Sequence, residues 1–448
     1  MIPPETSNPI DTGVDDTATP ANGVRSTASV ARTTAVVISC IAVVVGIAAG
    51  IAYNLFSLPG LRGLDVLGDY YRIDLDVYRI GGGIFASGSP LYGQMPATAL
   101  GNTLPFTYPP IAAVLFSPLS MISLYWAGIV VTALSLALLV TTIVLTLVSL
   151  GYSPKTLLLW TAGAIFAVSM ILEPVFSTLD YGQVNIILMV FVAADCLPKK
   201  TPWPRGVLIG FVAAVKLTPA VFVLFFLLRK DFRAAVIAGV SFSAFTAIGF
   251  LATMSDSVEY WTHTLVDSDR IGKPAYPANQ SITGVLARLG LDDSMRSVLW
   301  VALSFGALAL SALAMRKAFE ADLTAIALGV NAVLGLLVSP ISWSHHWVWV
   351  VPFLVALATA AYRQRSTWLV FLVGIGLVLF HFAPHWRLAP GRSSGLGWPL
   401  WDQLAASSYV WWGVAAIATV TFITWKTSQQ KATSSSQILS PTEPTPAD

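Results

Sequence analysis

Long runs of residues almost free of charge recur along this chain, and they dictate the solvent it folds in. A helix that crosses a bilayer needs about 20 consecutive, mostly apolar residues. Candidate spans fall at 34–57, 124–150, 156–172, 184–197, 234–253, 297–315, 322–338, 347–361, 366–383 and 408–425, and two further apolar stretches, 108–122 and 206–228, are interrupted by proline. Of 448 residues, 55% are hydrophobic and only 11% charged, and the mean hydropathy is +0.72. A soluble domain carries about 25% charged residues. Too little polar surface is available to cover such a core in water, so lipid is the solvent. The expected fold is an all-α polytopic membrane protein with about 10–12 transmembrane or re-entrant helices. A net charge of +2 gives no reason to expect a nucleic-acid partner. Cys40 and Cys196 sit in apolar runs without metal-ligand spacing or a disulfide framework.

Residues 1–33 and 426–448, rich in Ser, Thr and Pro, read as disordered cytoplasmic tails around a membrane domain at 34–425. The run at 34–57 is longer than a signal-peptide core and reads as an uncleaved anchor. Basic clusters at Lys199, Lys200 and Arg205, at Arg229, Lys230 and Arg233, at Arg316 and Lys317, at Arg363 and Arg365, and at Lys426 and Lys431 belong in the cytoplasm. Counting crossings between them leaves one conflict: 206–228 looks like a single span between two basic clusters. Lys216-Leu217-Thr218-Pro219 lies in its middle, where proline breaks a helix. Two half-helices that dip in and return resolve the parity; the alternative is that one basic cluster is misplaced. Loop 58–107, loops 254–296 and 384–407, and turns 173–183 and 339–346 then face the outside, with His263, His345, His346, His381 and His385 on or near that side.

Several polar groups stand out against this background. Between Arg62 and Arg79 the first outer loop concentrates charge, including Asp69, Asp74 and Asp76. A helix over 74–85 puts Asp74 and Tyr78 on one face and Asp76 on another, and a carboxylate at the membrane surface is suited to accept a proton. Tyr108, between Phe106 and the Pro109-Pro110 pair, is a candidate sugar platform. Glu173, Gln183 and Asn185 flank a tight outer turn, and amides offer both donors and acceptors to hydroxyl-rich ligands. Lys216 cannot easily reach water from the centre of an apolar run, so it needs a cavity or an anionic partner. Trp343, His345 and His346 form an aromatic and imidazole cluster at the outer end of two spans. No third histidine or carboxylate stands at ligand spacing, which favours hydrogen bonding to phosphate or sugar over a metal site.

Ile73-Asp74-Leu75-x-Val77-Tyr78-Arg79-x-Gly81-Gly82, Leu91-Tyr92, Phe106-x-Tyr108-Pro109-Pro110, Glu173-Pro174, Gly182-Gln183-x-Asn185, Lys216-Leu217-Thr218-Pro219 and Ser339-Pro340-x-Ser342-Trp343-x-His345-His346-Trp347 occur in a familiar order. From about residue 50 to 425 the chain resembles the polyprenyl-phosphate-mannose-dependent α-1,2-mannosyltransferases of mycobacteria and their relatives, which have a GT-C fold. The resemblance implies a base aspartate that Asp74 matches better than Asp76. It also implies phosphatidylinositol mannosides, lipomannan or lipoarabinomannan as acceptors, and the reading leans toward the enzyme that branches the mannan backbone.

The residues agree with that chemistry. No nucleotide-binding glycine loop is present, and nucleotide sugars are not available outside the cytoplasm. A lipid-phosphate donor, with no other cofactor, solves the supply problem. Its departing phosphate needs cationic or hydrogen-bonding groups, for which Arg79, Lys216, His345 and His346 are the candidates, with Tyr78, Tyr108, Glu173, Gln183, Asn185 and Trp343 toward sugar and acceptor. The alternatives are a related transferase of another lipid-linked sugar, such as arabinose, and a polyprenyl-linked-sugar flippase. A flippase would place its binding groups near the midplane between repeats, whereas these motifs crowd one face.

Overall fold

The computed structural model describes residues 71–439, except 154, 268–269, 271 and 388–397, with no side-chain description beyond 425. The expected anchor at 34–57, the N-terminal tail and Asp69 lie outside the described residues. Within them the chain is helical, with no strand beyond one isolated bridge between Asn279 and Trp343. The helices are α1 (Ile73–Ser87), α2 (Pro110–Ser120), α3 (Leu124–Ser149), α4 (Lys155–Ser169), α5 (Glu173–Tyr181), α6 (Asn185–Cys196), α7 (Val207–Val215), α8 (Val223–Leu228) and α9 (Phe232–Ala252). After them come α10 (Met254–Thr262), α11 (Ile282–Arg288), α12 (Asp293–Glu320), α13 (Thr324–Val338), α14 (Val350–Gln364), α15 (Thr367–Phe382), α16 (Pro384–Arg387), α17 (Leu400–Ala406) and α18 (Ser408–Leu439). α18 runs on past residue 425 without a break at the expected boundary.

Among the described residues, six helices are long and apolar enough to cross a membrane, or seven if the bent pair α4–α5 is one span; four more apolar helices are shorter. Their ends carry local signals. Ser123, Asp231, Asp292 and Ser366 each cap a helix by accepting a backbone N–H three residues on. Gly182 closes α5 in the left-handed region, with φ +68°, and a Cβ there would come within 2.7 Å of Leu75 Cβ. That close approach seats the α5–α6 turn on the start of α1.

The two proline-interrupted segments settle differently. α2 is a short helix packed on α1, where Gly82 lets the backbones meet: a Cβ would lie 2.6 Å from the Phe116 carbonyl oxygen. The 206–228 stretch breaks at Lys216, which is extended (φ −146°, ψ 122°), and resumes as a 3-10 turn over Thr218–Phe222 and then α8. Gly206 lies against Ala234, Gly210 against Ala238 and Ser241, and the Phe211 ring 4.7 Å from Phe245. α7 and α9 therefore run parallel, so the chain must return to its starting end before α9 begins. The segment is a hairpin with Lys216 at its inner tip, as the charge parity requires. The return limb packs against the α12–α13 turn, with Phe225 5.1 Å from Phe319 and Asn331 Nδ2 bonded to the Val221 carbonyl.

The loops rich in Lys and Arg thus collect at one end of the bundle and the candidate chemical groups at the other. Cysteines placed singly at the exposed positions Lys199, Arg233 and Arg316 should all label from the same side of the membrane in intact cells. Labelling of Arg233→Cys from the side opposite Lys199→Cys would show that 206–228 crosses once.

Candidate active site

α1 starts the site. Asp74, in its first turn, is partly exposed, and Tyr78 lies one turn further on the same face. Tyr78 donates to Gln183 Oε1 at 2.7 Å and shares a 2.8 Å hydrogen bond with Tyr108, whose hydroxyl also lies 3.3 Å from Gln183 Oε1. Both phenols thus occupy the oxygen end of the amide, and the Gln183 side chain also hydrogen-bonds Asp74. Burial raises the Asp74 pKa to about 6, although the Gln183 hydrogen bond and the charge of Lys216 pull it down. Tyr92 fixes the other side of this network by donating to the Tyr108 carbonyl at 2.7 Å. Tyr78 and Tyr108 are buried, so they hold Gln183 in place and do not present open ring faces to a sugar.

Lys216 meets this group from the hairpin tip. Its ammonium donates to Asn185 Oδ1 at 3.0 Å and stands 5.3 Å from the Tyr108 ring centre. Asn185 turns its other end to the His345 carbonyl (3.1 Å), which also accepts from Thr178 (2.8 Å). His345 and His346 meet at right angles, 4.9 Å apart, and Tyr181 lies 5.0 Å from His345. A cavity of about 60 Å³ is lined by Asn185, Lys216 and His346 at its polar end and by Leu188, Phe222 and Leu336 at its apolar end. One set of walls therefore offers a cation and an imidazole beside hydrocarbon. His345 is more deeply set, with Nε2 buried and unpartnered.

Two expected site residues have other work. Arg79 does not join Lys216: it donates to the Leu119 and Ile122 carbonyls at 3.1 and 2.6 Å and pairs with Asp76 at 3.6 Å. Five residues after Asp74, it points around the helix toward the α2–α3 corner, which it caps. Glu173 is only 1% exposed and cannot touch a ligand from there. Its oxygens accept from Ser344 (2.7 Å), Trp386 (2.9 Å) and Tyr409 (2.9 Å), tying the histidine segment to α16 and α18. Trp343 is partly exposed and packs on Tyr276, 6.0 Å away, at the rim. Among the described residues no three His, Cys, Asp or Glu side chains gather where they could hold a metal ion.

Sequence reasoning missed Asn279 and Gln280. Asn279 Oδ1 accepts from the Ser342 N–H (3.0 Å), the Gln280 N–H donates to the Ser342 carbonyl (2.7 Å), and the Gln280 carbonyl accepts from the Trp347 indole (3.2 Å). The signal was a pair of adjacent amides after Pro274 and Pro277 in the polar stretch 254–296. Leaving a buried polar group unpaired costs about 1–3 kcal/mol, and Glu173→Ala would remove the acceptor of Ser344, Trp386, Tyr409 and Ser177. That variant should lose several degrees of thermal stability in detergent together with transfer activity. An unchanged melting temperature would remove Glu173 from its role as an anchor.

Comparison with known proteins bears on this geometry. Residues 106–340 match the family described as Glycosyltransferase family 87. A protein of Mycolicibacterium smegmatis named polyprenol-phosphate-mannose-dependent alpha-(1-2)-phosphatidylinositol mannoside mannosyltransferase is 44% identical over 400 residues, 84% of this chain and 90% of its own. Its namesake in Mycobacterium tuberculosis is 44% identical over 78% of this chain and 84% of its own. A Mycobacterium tuberculosis enzyme named for the pentamannoside acceptor is 32% identical, covering 92% of each chain. Among solved structures, ArnT from Cupriavidus metallidurans bound to undecaprenyl phosphate aligns over 85% of this chain and 77% of its own, with 14% identity and a TM-score of 0.35. On the family match and these identities, the chain belongs to glycosyltransferase family 87.

Proposed function

We propose that the chain transfers mannose from polyprenyl-phosphate-mannose to a phosphatidylinositol mannoside, forming an α-1,2 linkage at the extracytoplasmic face of the plasma membrane. The observation that carries this reading is the facing of a raised-pKa carboxylate, Asp74, by a lysine that it does not directly pair with. The names of the relatives favour phosphatidylinositol mannosides over the lipomannan and lipoarabinomannan backbones as acceptors.

A β-linked donor that gives an α-linked product is inverted at the anomeric carbon. The acceptor oxygen forms its bond to that carbon as the bond to the phosphate oxygen breaks. The hydroxyl proton goes to Asp74, and polyprenyl phosphate leaves with the electron pair. A single displacement of this kind needs one base and no covalent enzyme intermediate. Base and leaving group must lie on opposite sides of the reacting carbon, so an aspartate bonded to the lysine would leave no room for a sugar. Instead, Lys216 is held by Asn185, and Asp74 by Gln183. Lys216 and His346 offer the departing phosphate a charge and a hydrogen bond beside an apolar wall suited to the lipid.

General base catalysis contributes about 100- to 10,000-fold. Asp74→Asn should therefore lower kcat by at least about 100-fold while donor binding, measured separately, changes little. Asp76, which accepts from Tyr71 and from the Ala99 N–H, should affect stability more than chemistry. A normal rate in Asp74→Asn would exclude it as the base.

The pH profile follows from the raised pKa. Below about 6, Asp74 is protonated and cannot accept a proton, so kcat/KM should fall about tenfold per unit on the acid side. The Gln183 hydrogen bond lowers that pKa, so Gln183→Leu should move the acid limb to higher pH. A limb unmoved in the variant would mean that another group sets it.

A further inference from the structure

The helix α4 leans on α3 and stands away from α14 and α15; Ala162 and Ser169 are its only buried residues. The gap is an apolar groove with Val351, Val355 and Thr359 of α14 as its floor, and Ala164, Val168 and Leu377 on its walls. Of its polar wall groups, Ser169 donates to the Ile165 carbonyl, Thr359 to the Val355 carbonyl, and the Tyr152 hydroxyl shares a 3.3 Å hydrogen bond with Thr359. The groove offers a ligand hydrocarbon contacts along its length.

Its volume is about 330 Å³. From Val351 to Tyr362 a helix rises about 16 Å, which gives a mean cross-section of about 20 Å². A helix with its side chains is about 10–12 Å across and fills several times that section. The groove is too narrow for another helix and suits a single extended acyl chain.

One end of the groove lies beside the α3–α4 and α14–α15 turns, a helix length from Asp74. Lys155, Arg363 and Arg365 stand there, and neither 147–172 nor 351–377 contains an aspartate or glutamate. Arg363 is fixed at the mouth by donating to the Leu150 carbonyl at 2.5 Å. Exposed Trp160, Tyr362 and Trp368 occupy the same region, and such side chains favour the membrane–water boundary.

We infer that this groove holds an acyl chain of an anionic glycerophospholipid, with the headgroup phosphate among Lys155, Arg363 and Arg365. The site is separate from the transfer site and does not depend on the function proposed for it.

The test uses the full chain in nanodiscs, with phosphatidylglycerol or phosphatidylcholine carrying a photoreactive group in one acyl chain. Peptides 351–362 and 164–172 should be labelled severalfold more by phosphatidylglycerol than by phosphatidylcholine. Ala358→Trp, at an exposed wall position, should abolish that label while elution and basal transfer are kept. Lys155→Gln with Arg365→Gln should keep the label and lose the lipid preference. If Ala358→Trp fails to fold, labelling of the unsubstituted chain decides the matter by itself. Equal labelling by both lipids, labelling spread over other helices, or a cysteine in 34–57 forming a disulfide with Ala358→Cys would each overturn the inference.

Discussion

An ammonium group at the tip of a hairpin inside an apolar bundle must be solvated by something, and the site is organised around that demand. An ionised side chain at membrane depth is costly unless it faces a cavity or a partner. Lys216 has both: Asn185 Oδ1 accepts its hydrogen bond at 3.0 Å, and one side opens on the cavity shared with His346. The break at Lys216 also turns α7 back toward the basic end and fixes where α9 begins. The charge, the fold of the hairpin and the cavity come from the same few residues. Asn185 extends the arrangement by binding the His345 carbonyl, so the hairpin and the histidine segment are positioned relative to each other.

The carboxylates of this chain divide by how fully their oxygens are occupied. Asp76 accepts from Tyr71, from Ala99 and from Arg79; Glu173 accepts from four side chains. Asp195 takes the Gly206 and Ile209 N–H groups and the Trp203 indole, closing the turn before α7. Asp256 accepts from the Leu91 N–H and from Thr253, tying the segment after α1 to the start of α10. Such acceptors hold structure, and a proton taken up there would break their bonds. Asp74 differs, since it sits partly exposed within the field of Lys216 with Gln183 as its support. A base needs spare accepting capacity and a pKa near working pH, and Asp74 has both.

Much of this was legible in the sequence because membrane helices announce themselves by composition. The spans from Leu124 to Phe382 fall within a few residues of the apolar runs, and the proline after Lys216 marked the hairpin. Asp74 and Tyr78 share a face because they are one helical turn apart, which spacing alone predicts. Arg79 and Glu173 were harder. A charged residue in a motif looks the same whether it meets a ligand or a carbonyl, and only the packing of α2 on α1 shows which carbonyls Arg79 caps. Glu173 is buried by α16 and α18, more than 200 residues away in the chain, so local sequence gives no hint of its burial. Asn279 and Gln280 were missed for a similar reason: their partners at Ser342 and Trp347 come from a distant loop.

The central claim is that Asp74 and Lys216 stand on opposite sides of the reacting carbon. A structure of the chain with polyprenyl phosphate and a short α-mannoside bound would test it most directly. The account predicts the phosphate within hydrogen-bonding distance of Lys216 Nζ and His346, and the acceptor hydroxyl facing the Asp74 carboxylate across a gap the size of one sugar. A phosphate seated on Arg79, or an acceptor hydroxyl facing any carboxylate other than Asp74, would contradict it.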